Sequence, residues 1–283
     1  MSTLFHIFNS IQNSLFPWLE EALDPLSAKE KKFVQVISLM DLDAHMKAYR
    51  WQGIGRKSKN RMKLAKAFVA KAIYNFETTD ILIDYLRGCK NIRRLCGWEN
   101  PWQVPSKSTF SRAFAHFDQG QLTQIIHETM VKEHCGEKLA GHISRDATAI
   151  AVREKPVKKK NHQSVTQPKR KPGRPRKGEV VAPKPPKRLD LQPTRTLADN
   201  LEDLPYQCDV GTKKNSKGYK ESWIGYKLHL DCIDGDIPVS TLLTSASLHD
   251  SQAAIPLSQM SKDRVTNLYD LMDSAYDAPQ IHS

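Results

Sequence analysis

Apolar side chains recur at helical spacing through the first 135 residues and in alternation after Gly141. Ser27 followed by Glu30 predicts a capping box heading a helix over 28–48, with Phe33, Val36, Ile37, Met40 and Ala44 on one face. A second helix is predicted over 61–76, with Leu64, Ala67, Phe68, Ala72 and Ile73 inward, and a shorter one over 79–86. Pro105-Ser106 sets the start of another, whose apolar face is Phe110, Phe114 and Phe117, and a last helix covers 119–134. The opening MSTLFHIFNSIQNSLFPWLEEAL lacks a basic start and is broken by Asn, Gln and Pro17, so it reads as an amphipathic segment and not as a signal peptide. No apolar run reaches membrane length, and a cytoplasmic protein is expected.

From Gly141 the period changes. HISRDATAIAV has the alternation and β-branched content of a strand, with Asp146 within it. WIGYKLHLDCI and IPVSTLLTSAS read as two more strands joined by Asp234-Gly235-Asp236, a strong hairpin signal. A helix is predicted near Asp250, a suitable N-cap, and VTNLYDLMDSAYD reads as a strand ending near Asp273. This order predicts a mixed α/β sheet after an all-helical first domain, with domains at 1–136 and 137–283.

Charge alters that picture in one place. The chain has 283 residues, 43 Lys and Arg against 31 Asp and Glu, and a formal charge of +12. Between Arg153 and Arg188 stand fourteen Lys and Arg against two Glu, so these 36 residues hold the whole excess. Seven of the 16 prolines fall in the same window and large apolar side chains are scarce, which predicts a disordered insert over about 153–215 that orders on an anion. The five cysteines (Cys89, Cys96, Cys135, Cys208, Cys232) form no C-x-x-C pair, and reduced thiols are expected.

Three groups of residues carry candidate chemistry. The short helices between Thr78 and Phe117 allow a helix-turn-helix-like module with Arg93, Arg94, Lys107 and Arg112 facing DNA; the other reading is a small bundle with Trp98 and Trp102 in its core. Arg56, Lys57, Lys59, Arg61, Lys63 and Lys66 make a further basic cluster, read as a solvated helix face. Asp146 and Asp273 lie in otherwise apolar strands, where a carboxylate is costly unless it holds a cation, caps a strand end or pairs with a base. Parallel and adjacent strands would let the two share a divalent ion. His229 and His249 are read as structural, and Trp223 and Tyr226 as sheet-packing residues.

The segments GHISRDATAIAVREKP, GYKLHLDCIDGDIPVSTLLTSASLHDSQAA and LYDLMDSAYDAPQI resemble, in order and spacing, those of insertion-sequence DDE transposases. LIDYLRGCKNIRRLCGWENPWQVPSKSTFSRAFAHF is similar to the helical domain preceding catalysis in that group. The resemblance implies an RNase H-like catalytic domain that binds Mg²⁺ or Mn²⁺ and cleaves and transfers DNA strands at the element's ends, with Asp146 and Asp273 as the first and second acids. The family's third acid, a Glu within Y-x2-R-x3-E-x6-K, has no match here, so an incomplete sheet and a truncated enzyme are expected. The rival expectation is a non-catalytic DNA-binding fragment acting as a regulator or inhibitor. Within the insert, KRKPGRPRKGE resembles an AT-hook: Gly173, Arg174, Pro175 and Arg176, flanked by Lys171 and Lys177, would enter an A·T-rich minor groove. The expected partners are double-stranded DNA, no membrane, and a second copy or a complementing C-terminal fragment. A bacterial, DNA-associated cytoplasmic location is expected.

Overall fold

Ser27 and Glu30 close the capping box that their spacing predicts: the Ser27 N–H donates to Glu30 Oε2 at 2.7 Å and the Glu30 N–H to Ser27 Oγ at 3.3 Å. The structure is a computed structural model that describes residues 3–51, 53, 58–157, 186–214 and 217–282. Two compact units divide the chain, Met1–Cys135 and Gly136–Ser283. The first is all helical and the second is a mixed sheet with helices, an α+β organisation. No described helix is long and apolar enough to cross a membrane.

The helical unit comprises α1 (Thr3–Ser10), α2 (Phe16–Ala22), α3 (Ala28–Leu39), α4 (Leu42–His45), α5 (Arg61–Ile73), α6 (Thr79–Gly88), α7 (Lys90–Leu95), α8 (Lys107–Gln119) and α9 (Leu122–Cys135). The helix expected over 28–48 breaks at Asp41, whose left-handed backbone (φ 38°, ψ 54°) ends α3 and starts α4. Likewise α5 stops at Ile73, just before Asn75 at φ 55°. Phe68 of α5 meets Phe110, Phe114 and Phe117 of α8 edge-on, with ring centroids 5.7, 5.5 and 6.3 Å apart. Trp98 is buried in this core, whereas Trp102 is 79% exposed and takes no part in it.

The second unit is built on β1 (Leu139–Ala151), β2 (Asp209–Lys214), β3 (Lys220–Ile233), β4 (Ile237–Ser245) and β5 (Thr266–Met272). β3 pairs antiparallel with β1 on one edge and with β4 on the other, and β1 pairs parallel with β5. β2 pairs with the first half of β3. Gly225, where β1, β2 and β3 meet, has φ 150°, and a Cβ there would strike the Ile150 carbonyl. The helices of this unit are α10 (Arg188–Leu191), α11 (Leu197–Glu202), α12 (Ser251–Lys262) and α13 (Pro279–His282). α12 lays Ala253, Leu257 and Ser261 against the sheet face that carries Leu242 and Asp231. The opposite face exposes Leu243, Tyr269 and Leu271.

The expected disordered insert is shorter at its C-terminal end than its composition suggests, because residues 186–214 are structured. The cause lies in α12. Pro256 inside that helix has no N–H to offer the Gln252 carbonyl, and the fully buried Gln192 donates its side-chain amide to that carbonyl at 2.7 Å. Asn200, also fully buried, bridges the Gln192 carbonyl and Gln259 Oε1 at 3.0 Å each, while Leu204 joins the apolar cluster of Leu248 and Leu257. Arg188, which counts toward the polycationic run, is tied to Asp203 at 2.9 Å and Gln252 at 2.6 Å. Lys171, Gly173, Arg174, Pro175, Arg176 and Lys177 lie outside the described residues.

Candidate functional site

The β1–β5 register pairs Ser144 with Leu271 and Arg145 with Met272. The next residues on these parallel strands are Asp146 and Asp273, and Asp273 keeps an extended backbone (φ −80°, ψ 175°) as it leaves β5. Neighbouring strands run about 4.8 Å apart, so two carboxylates start from adjacent backbone positions. Both side chains are exposed. Asp146 Oδ1 accepts the Ala147 N–H at 2.7 Å, and Asp273 Oδ1 accepts the Ala275 N–H at 3.0 Å, heading a short turn over Ser274–Tyr276. Each therefore has one oxygen fixed by backbone and the other open, a hard-oxygen pair suited to a divalent cation. Among the described residues no group of three or more His, Cys, Asp or Glu is gathered tightly enough to hold a metal by itself.

The base of this pair is a buried ion pair that sequence reasoning missed. Strand alternation turns Arg145 away from Asp146 to the α12 side, where its Nε and Nη2 each donate to Asp231 at 2.7 Å. Their side chains are 1% and 0% exposed. Ser261 of α12 donates to Asp231 Oδ2 at 2.6 Å, and Arg145 Nη1 reaches Met272 Sδ at 3.3 Å. The guanidinium thus bridges β3, β5 and, through Asp231, α12. The alternation alone carried the signal: Arg145 shares a face with Ile143 and, buried there, needs an acid.

Four further polar side chains, Asp250, Lys227, Tyr276 and His229, belong to these surroundings. Asp250 does not cap α12: its backbone is already helical and its side chain makes no cap bond, contrary to expectation. Its carboxylate instead accepts from Lys227 Nζ at 2.8 Å, the same ammonium that donates to the Leu248 carbonyl at 2.8 Å. Tyr276 is 2% exposed and its hydroxyl has no partner among the described residues. Burial, then the charges of Asp250 and Asp146, raise its pKa, with Asp273 acting in the same direction, so the phenol stays protonated and available to donate. His229, fully buried on β3, meets Thr244 Oγ1 through Nε2 at 2.9 Å. Desolvation brings its pKa down to about 4, against an opposing pull from Asp250 and Asp146.

That depression makes stability depend on pH. The unfolded imidazole takes its proton near pH ~6.5 and the folded one only near 4, so stability is whole above the higher value and falls as acid is added. Wild type is expected to lose about 2–3 kcal/mol between pH ~7 and ~4.5 from this residue, and His229→Gln to lack that component. Urea midpoints at the two pH values measure it; equal slopes for both proteins would refute the assignment.

The four cations expected to face DNA are differently employed. Arg93 is buried, with Nη1 donating to the Leu86 and Arg87 carbonyls at 3.4 and 2.9 Å and Nε to the Glu99 carbonyl at 3.4 Å. It satisfies the C-terminal carbonyls of α6, which corrects its expected role. Arg94 pairs with Glu99 at 2.7 Å, and Lys107 pairs with Asp80 at the surface. Arg112 is exposed, its Nε donating to the Ser108 carbonyl at 3.2 Å.

Residues 20–116, from within α2 to within α8, match the family described as Transposase domain (DUF772). Searches of curated proteins and of solved structures returned no match. The matched stretch covers about a third of the chain and lies within the helical unit, which is therefore similar to that family.

Proposed function

We propose that the chain is a DDE-type transposase that binds the ends of an insertion sequence and cleaves and transfers DNA strands with an RNase H-like C-terminal unit. The observation that supports this reading is the parallel β1–β5 register, whose last pair, Arg145 and Met272, directly precedes Asp146 and Asp273. The strand order β4-β3-β1-β5, antiparallel except for the last pair, and α12 between β4 and β5 support an RNase H-like assignment. The likeness of residues 20–116 to a transposase domain supports DNA as the partner.

Asp146 and Asp273 would hold Mg²⁺ or Mn²⁺, which when bound supplies Lewis-acid activation of the attacking oxygen and charge stabilisation at the phosphate. Arg145, held by Asp231 of β3 and reaching Met272 of β5, ties β1 to both neighbouring strands beneath the two carboxylates. Lys227 neutralises Asp250, which lowers the negative charge a phosphodiester meets on approach. The protonated Tyr276 hydroxyl is a donor to the same surroundings. The test is Mg²⁺- or Mn²⁺-dependent nicking of DNA by wild type and not by Asp146→Ala. A chain that binds DNA while wild type and variant are equally silent would instead be a non-catalytic regulator.

The basic run contributes affinity in this reading. Its AT-hook-like core combines prolines with arginines suited to a narrow minor groove. Arg174→Ala with Arg176→Ala is expected to weaken binding to A·T-rich duplex at least tenfold more than to G·C-rich duplex, measured by fluorescence anisotropy. Equal losses would leave only counterion release by a polycation.

A further inference from the structure

The N-terminal end of α5 borders a cleft of about 410 Å³ whose lining includes Arg50, Lys59 and Arg61, the aromatic rings of Tyr49 and Trp51, and one acid, Asp43. Arg61 Nε is buried there with no hydrogen-bond partner among the described residues. A buried guanidinium N–H without an acceptor is a cost that a bound anion removes. The second cation is Arg112 of α8, close enough that its charge, after burial, is the next cause lowering the pKa of Arg61; no carboxylate is among the groups acting on that arginine. Arg50, Lys59 and Arg61 against the single acid Asp43 leave the cleft net positive, which favours an anion.

The helix terminus does not supply this site. Asn60 Oδ1 already accepts the Met62 and Lys63 N–H groups at 3.0 and 3.4 Å, so any anion here is held by side chains. The walls are rigid: Tyr49 packs edge-on against His116 and Phe117 at 4.9 and 5.2 Å between centroids, and Phe68 ties α5 to α8. Trp51 is 46% exposed beside the cations. Preformed arginines with an exposed indole beside them suit a nucleic-acid strand, whose phosphate takes the charges and whose sugar or base lies on the ring.

We propose that this cleft is a binding site for the phosphodiester backbone of duplex DNA, in which Arg61 takes one phosphate and Arg50 and Lys59 follow the strand. The site stands apart from Arg93, Arg94 and Lys107, of which Arg93 is turned onto helix carbonyls and the other two are paired with Glu99 and Asp80. It rests on DNA being the partner and not on cleavage at Asp146 and Asp273.

The experiment titrates the full chain with a fluorescent duplex of about 30 base pairs in EDTA across a KCl series. Arg61→Gln and Lys59→Gln are each expected to weaken binding about tenfold at 0.1 M KCl and to lower the salt slope by about one, while Lys107→Gln leaves both unchanged. Photocrosslinking to a 5-iodouracil-substituted duplex is expected to label the peptide holding Tyr49 and Trp51. Unchanged affinity and slope in Lys59→Gln, with wild-type melting, overturn the site; Lys59 is exposed, so this holds even if Arg61→Gln fails to fold. Displacement of the duplex by millimolar inorganic phosphate would make the cleft a small-anion site and overturn the DNA assignment. A wild-type chain that binds no duplex overturns the transposase reading itself, whereas normal binding by both variants overturns only the cleft.

Discussion

Asp231→Ala is expected to destabilise the C-terminal unit by about 3–5 kcal/mol, a large share of the ~5–15 kcal/mol that holds an ordinary domain. The mutation does not merely delete two hydrogen bonds. It leaves the guanidinium of Arg145, 1% exposed, with no full countercharge, since Asp270 is 3.8 Å away and itself a third exposed. It also strands the Ser261 hydroxyl that reaches down from α12. Removing both charges together is a different matter: Arg145→Met with Asp231→Leu replaces a desolvated pair by apolar volume and is expected to recover most of the loss. Urea unfolding of the two single variants and the double, analysed as a double-mutant cycle, measures this. A single Asp231→Ala loss below about 1 kcal/mol would mean that water reaches Arg145.

The contrast between Arg145 and Asp146 shows what was legible beforehand. Strand alternation identified β1, and Asp146 within it, from the sequence alone. The same alternation sends its neighbour to the opposite face, yet the acid that answers Arg145 lies 86 residues away on β3, beyond any local pattern. Residues 186–214 illustrate the converse. Proline and charge made them resemble the basic run, while their order depends on Pro256, whose missing N–H leaves a carbonyl for Gln192 to satisfy. A proline inside a predicted helix is a visible signal that some external donor is needed, but not of which one. Arg93 belongs with these cases: a cation near a helix end reads as a surface charge until tertiary packing encloses it and turns it onto the α6 carbonyls. The capping box at Ser27 and the hairpin at Asp234-Gly235-Asp236 were legible because their partners are three or four residues apart.

Asp146→Ala and Asp273→Ala are each expected to reduce metal-dependent nicking by at least about 10³-fold while leaving duplex affinity in EDTA within about twofold. The size follows from the geometry. Asp146 and Asp273 directly follow the last β1–β5 register pair, so a cation held by both would lose a protein ligand when either is cut. The two losses should be far from additive, because one bridged ion is the unit removed. Folding is not expected to suffer, since both side chains are exposed and each accepts from a nearby backbone N–H. Asp146→Asn and Asp273→Asn sharpen the test by keeping shape and hydrogen bonding while removing the charge; they should be as silent as alanine. Nicking that survives in Asp273→Asn but not in Asp146→Asn would place the cation on β1 without β5, and the parallel register would then be structural only. If all variants match an active wild type, the pair takes no part in catalysis.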